Sequence, residues 1–133
     1  MRFQPRAILV LILALHCTSA VQVAPEDWPM FRGPNGTGVL ETTNLPTELG
    51  PDTNLAWRVA VPFARSSPIV VGERLFLTGH EADKLITIAL DRQAGRVLWR
   101  REIVRQRAAA IYKGNDPASP TPASDGNNVY VFF

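Results

Sequence analysis

Few residues in this sequence have the type and spacing to do chemistry. His80, Glu81 and Asp83 bring an imidazole and two carboxylates within four positions, the donor types of a metal site. In a short polar loop such a trio is ordinarily just solvated, and no metal is expected there. Ser66 and Ser67 sit in no Gly-x-Ser-x-Gly setting, and His80 is the one histidine beyond the N-terminal segment, so a hydrolase finds no base for its nucleophile. The run Gly33-Pro34-Asn35-Gly36-Thr37-Gly38 has the glycines of a phosphate-binding loop. It follows no predicted strand, opens no helix and lacks the Gly-Lys-Ser/Thr ending, which makes it a structural loop. Asn35-Gly36-Thr37 also fits the glycosylation triplet. Five arginines fall between Arg96 and Arg107, interleaved with Val97, Leu98, Trp99, Ile103 and Val104. That is the pattern of a strand with solvated charges, and no nucleic-acid partner is expected. No catalytic residue follows from any of these groups.

The elements that must position these residues begin with an N-terminal segment of a different kind. Arg2 and Arg6 precede an unbroken apolar run from position 7 to 15, and Thr18-Ser19-Ala20 follows. Basic, apolar and small-residue regions in that order make a secretory signal peptide over residues 1–20, with cleavage expected after Ala20. The run is about nine residues, against roughly 20 for a membrane-spanning helix, so no transmembrane anchor is expected. Cys17 is the sole cysteine, and His16 before it argues against lipidation, since lipoprotein signals place a small residue there. The mature chain would then be periplasmic or extracellular, without a disulfide. Of 133 residues, 46% are hydrophobic and 20% charged, and a net charge of +2 includes Arg2 and Arg6, so the mature part is nearly balanced.

Residues 21–54 are dense in proline, glycine and other turn formers, which predicts an irregular arm. From residue 55 to 133 the chain turns to short runs of β-branched, leucine and aromatic residues between turn signals. Strands are expected at 55–61, 68–71, 74–78, 85–90, 97–102, 121–123 and 128–133. Gly72-Glu73 suits a two-residue type II′ hairpin, Asp125-Gly126 plays the same part later, and Asp91 with Gly95 can close the turn between 90 and 97. Ile86, Ile88 and Leu90 alternate with Leu85, Thr87 and Ala89, so both faces of that sheet should be covered.

The sequence also repeats itself. Leu55-Ala56-Trp57-Arg58 recurs as Val97-Leu98-Trp99-Arg100, the tryptophans 42 residues apart. Ser67-Pro68, Gly72 and Leu75-Phe76-Leu77 recur in the same order as Ser119-Pro120, Gly126 and Val129-Tyr130-Val131. A period in the forties with four short strands per unit predicts an all-β fold, a β-propeller of four-stranded antiparallel blades. The last run stops inside a strand, so about one complete blade and parts of its neighbours are expected.

Ala89-Leu90-Asp91-Arg92-Gln93-Ala94-Gly95-Arg96-Val97-Leu98-Trp99 resembles the tryptophan-docking motif of the pyrroloquinoline-quinone (PQQ) propeller repeats. Ala89, Asp91, Gly95 and Trp99 match that motif; Ala94 stands for its threonine and Arg96 for its lysine. The arm segment Trp28-Pro29-Met30-Phe31-Arg32-Gly33-Pro34 is similar to one that opens many secreted bacterial members. The resemblance implies that Trp57 and Trp99 dock on neighbouring blades, and that Trp28 and Phe31 pin the arm. Members include PQQ-dependent alcohol and sugar dehydrogenases and BamB-like scaffolds of the outer-membrane assembly machinery. With no catalytic group present, the resemblance implies a binding or scaffold module with protein or cell-envelope partners; the alternative is the N-terminal part of a quinoprotein oxidoreductase. No cofactor is evident in these residues, and PQQ with calcium would have to be held by other blades.

Overall fold

The computed structural model describes residues 27–42, 45–107 and 110–133. The expected signal peptide, with Cys17 and Ala20, lies outside the described residues. Four of the predicted runs form one antiparallel meander: β1 (Ile69–Val71), β2 (Arg74–Glu81), β3 (Lys84–Asp91) and β4 (Val97–Val104), in that spatial order. A second, two-stranded sheet holds β5 (Ala123–Ser124) and β6 (Val129–Tyr130), also antiparallel. Among the described residues there is no α-helix, only one short 3-10 turn at Pro34–Gly36 in the arm.

Local turn chemistry sets the register. Val71 pairs with Arg74, leaving Gly72 and Glu73 between them; Gly72 takes φ +54° while Glu73 stays at negative φ, as a II′ hairpin requires. At the β2–β3 turn the central pair is Ala82-Asp83, and Ala82 takes φ +51° in the position where glycine is ordinarily found. This turn corrects the sequence reading. Residues 80 and 81, expected in a loop, continue β2, because the pairing with β3 runs on to Glu81 and Lys84. Between β3 and β4, Asp91 Oδ1 accepts hydrogen bonds from the backbone N–H of Gln93 (3.1 Å) and Ala94 (2.8 Å), and Gly95 takes φ +67°.

Strand alternation sorts the side chains onto two faces. On one face Phe76, Ala89 and Ile69 are buried with Val71, Trp99 and Val129 against them. On the other, Leu77, Ile86, Ile88 and Leu90 are buried under Trp57, Val59 and Leu75. Both faces are thus covered, as the apolar runs require. The segment after β4 covers the first face: fully buried Thr78 has its Oγ1 within 3.1 Å of the Ala118 carbonyl and 3.2 Å of that of Pro120. Its single hydroxyl proton serves one of these acceptors at a time.

Residues 55–63 cover the second face, and here the expected strand at 55–61 is absent. That segment lies across the sheet and has no strand neighbour among the described residues; its backbone joins the sheet only at Phe63, whose carbonyl accepts from His80 N–H at 2.9 Å. The expected strands at 121–123 and 128–133 shrink to the two-residue β5 and β6, because no third strand lies beside that hairpin to extend the pairing. The arm is tied down by Trp28, which exchanges two backbone hydrogen bonds with Val70 (2.8 and 2.9 Å), and by Pro29, whose carbonyl accepts from Ser124 N–H. Phe31, expected to help pin it, is 62% exposed.

Ala82 offers a direct check. An L-residue in the left-handed region costs about 1–2 kcal/mol, and glycine's extra chain entropy offsets about half of that. Ala82→Gly is therefore expected to stabilise the protein by about 0.5–1 kcal/mol, seen as a melting midpoint raised by roughly 2–4 °C. A lower midpoint would refute the strain.

Candidate functional site

The docking motif anticipated from Ala89, Asp91, Gly95, Trp57 and Trp99 is the best-defined constellation of side chains. Asp91 is its organiser. Its side chain accepts two backbone N–H groups, its own N–H donates to the Arg96 carbonyl at 2.8 Å, and its carbonyl accepts from Gly95 N–H at 2.9 Å. Arg96 adds only a loose, exposed ion contact 4.0 Å from Asp91 Oδ2. The turn so fixed presents the buried Gly95 as a bare backbone platform, and the Trp57 indole lies on it. A Cβ at Gly95 would overlap Cδ2 and Cε3 of that ring. Trp57 Nε1 donates to the Arg92 carbonyl at 2.9 Å, so the same turn takes both the face and the polar edge of the indole. The arm repeats the device: Gly33, also at φ +67°, lies beneath the ring of Trp28.

Ala89 and Trp99 belong to the opposite face. Ala89 is fully buried, and Trp99 leans on Phe76 with ring centroids 5.9 Å apart at a 47° tilt. A β-bulge sets this direction. Leu90 pairs with Val97 but Ala89 with Trp99, so Leu98 is the extra residue, and Trp99 faces the same way as Ala89. Trp57 and Trp99, equivalent in the repeat, therefore lie on opposite faces of one sheet. Their spacing in sequence was legible; the bulge that aims Trp99 has no turn former to announce it.

The candidate metal trio comes apart. Alternation sends His80 and Glu81 to opposite faces. His80 stands edge-on to Phe63 (5.6 Å, 82°), whose ring also carries Arg65 at 5.7 Å. Glu81 joins an exposed ion network instead: Arg100 Nη2 is 2.6 Å from Glu81 Oε2, Arg100 Nε is 2.8 Å from Glu102 Oε1, and Lys84 Nζ is 2.7 Å from Glu102 Oε2. The hydrogen bond from Arg100 holds the Glu81 carboxyl below its ordinary range. Lys84 and then Arg100 do the same for Glu102, and Glu102 in turn raises Lys84. No cluster of three metal-ligating side chains occurs among the described residues.

The serines serve structure. Ser66 Oγ donates to the Thr78 carbonyl at 3.1 Å, and Ser67 N–H donates to Thr121 Oγ1 at 3.1 Å. Asp125 caps its own turn through the N–H groups of Asn127 and Asn128 and accepts the Tyr130 hydroxyl at 2.6 Å. The Tyr130 bond, more than the backbone ones, holds the Asp125 carboxyl far below the usual carboxylate range. Every one of these groups braces a turn or a seam between segments.

Comparison with known proteins returned no matching family model, no similar curated protein and no similar solved structure. The functional reading accordingly stands on the residues and their geometry.

Two measurements probe this site. Gly95→Ala should cost at least about 2 kcal/mol in the intact protein, since strain and overlap add, but only the left-handed cost of about 1–2 kcal/mol in a Trp57→Ala background. Additive costs in that double-mutant cycle would show that the indole does not rest on the turn. The ion network has a pH signature. Glu81 and Glu102, held low when folded, add stability above their unfolded range near about pH 4.3, which is lost as pH falls through the folded values. Lys84, held high, acts in the opposite sense and loses its contribution only in alkali. The melting midpoint should therefore fall between pH 7 and pH 3, and Arg100→Gln should narrow that fall; an unchanged difference would disprove the coupling.

Proposed function

We propose that this chain forms successive units of a PQQ-like β-propeller and serves outside the cytoplasm as a binding or scaffold module. One observation carries the reading: Trp57, from one copy of the repeat, docks on the Gly95 turn of the next copy through both its ring and its N–H. A repeat whose tryptophan is shaped to sit on its successor's turn can propagate around an axis, which is the construction principle of blade-on-blade packing. The four-stranded meander supplies a unit of blade size, and the β5–β6 hairpin repeats its first two strands against the opposite face. The N-terminal basic, apolar and small-residue pattern supports export. No helix among the described residues is long and apolar enough to cross a membrane.

The residues present do not supply a grip for a quinone cofactor. Trp57 is engaged with Gly95 and Trp99 with Phe76, so both indoles are already packed. This packing role for the tryptophans supports a binding or scaffold module.

The discriminating experiment is a dye-reduction assay on the full-length protein supplied with PQQ and calcium, with ethanol or glucose as electron donor. The expected outcome is no reduction above that of free PQQ. Substrate-dependent reduction would replace the scaffold reading by that of a quinoprotein oxidoreductase.

A further inference from the structure

At the end of the main sheet that carries the β2–β3 turn, a cavity of about 590 Å³ opens between the sheet and the segment that follows β4. Its volume falls within the range of roughly 300–1,000 Å³ typical of small-molecule sites. The walls are apolar: Leu85 and Ile103, cross-strand partners on β3 and β4, form the floor, with Ile111, Pro117, Pro120 and Phe133 around them. Two cations stand on the same wall, Arg105, half-buried, and Arg107, exposed. Neither guanidinium has a hydrogen bond or an ion pair among the described residues.

The charge balance decides what fits. Asp116 is the one acidic residue lining the cavity, and its side chain is 5% exposed and already committed. Oδ1 accepts from Ala118 N–H at 2.7 Å, while Oδ2 faces Arg65 Nε at 3.4 Å, an ion contact without hydrogen-bond geometry. With that acid matched by Arg65, the side chains lining the cavity are mainly apolar, and their remaining charges are the two positive ones of Arg105 and Arg107. Arginine meets a carboxylate with paired N–H donors, and a bond to a charged partner is shorter and stronger than a neutral one.

We propose that this cavity binds a monocarboxylate with an unbranched apolar tail, the carboxylate held by Arg105 and Arg107 and the tail lying on Leu85, Ile103 and Phe133. The site is formed wholly by residues of this chain and does not depend on the propeller reading. A tail of eight to twelve carbons gains affinity by area, roughly fourfold for each methylene removed from water.

The test is isothermal titration of the whole chain with octanoate, decanoate and dodecanoate, each below its micellar concentration, and with decanol as the uncharged match. Affinity should rise with chain length, and decanoate should bind at least about tenfold more tightly than decanol, the factor of a charge-assisted hydrogen bond. In the Arg105→Gln/Arg107→Gln double variant, decanoate should weaken by a similar factor while decanol is unaffected. Neither guanidinium has a partner among the described residues, and the Arg105 backbone bond to the Asp83 carbonyl survives the substitution, so the variant keeps the fold, and the decanol titration verifies the cavity in each protein. Equal affinity for decanoate and decanol, decanoate binding untouched by the double variant, or no binding of any of the four would each overturn the proposal.

Discussion

The rest of the structure depends on the contact between an indole and a backbone. Trp57 can lie flat on the β3–β4 turn only because position 95 has no Cβ and takes a positive φ that glycine alone adopts without cost. Asp91 makes that geometry permanent by bonding the N–H groups that the turn leaves free. Once the ring is seated, residues 55–63 are drawn over Leu77, Ile86, Ile88 and Leu90, and a sheet face that could not remain wet is closed. A charged or hydroxylated residue at position 57 would lose the area, and one without an N–H would leave the Arg92 carbonyl unmatched.

The two faces are sealed by different means. Indole and aliphatic packing closes one, while the other combines Ile69, Phe76 and Ala89 with a polar seam in which Thr78, Ser66, Ser67 and Thr121 join segments by single hydrogen bonds. Such a seam fixes relative position because its bonds are directional, whereas apolar contact alone permits sliding. The ion network of Glu81, Arg100, Glu102 and Lys84 lies at the rim, partly exposed to solvent, where charge tunes the surface and contributes little to cohesion.

Much of the main sheet could be read from residue types, because its hairpins are announced by Gly72 and by Asp91 with Gly95; in the second sheet Asp125-Gly126, expected as a two-residue turn, opens a longer loop between Ser124 and Val129. The β2–β3 turn could not, since Ala82 occupies a glycine position and nothing in Glu81-Ala82-Asp83-Lys84 resembles a hairpin loop. Its omission also turned His80 and Glu81 into apparent loop neighbours when they point to opposite faces. Residues 55–61 have a strand's composition, but in this segment only Trp57 and Val59 pack on the core, half-buried, by lying on a sheet instead of within it. Asp91 and Gly95 were legible as a motif because they serve local geometry, whereas the seating of Trp57 on that turn joins residues 35 positions apart. The arginine-lined cavity was not, because Leu85, Arg105, Pro117 and Phe133 meet only after the segment following β4 folds back.

The arm's attachments have a consequence for the order of folding. Trp28 pairs with Val70 and Pro29 with Ser124, so the first described residues wait for partners some 40 and 95 positions downstream. Contacts closing such long loops carry a large entropic cost and form late. During synthesis the arm emerges first, yet the Pro29 carbonyl has no donor until Ser124 of β5 exists. The part of the arm around Trp28 and Pro29 is therefore the final piece to lock, a latch on a hairpin meander that has already assembled.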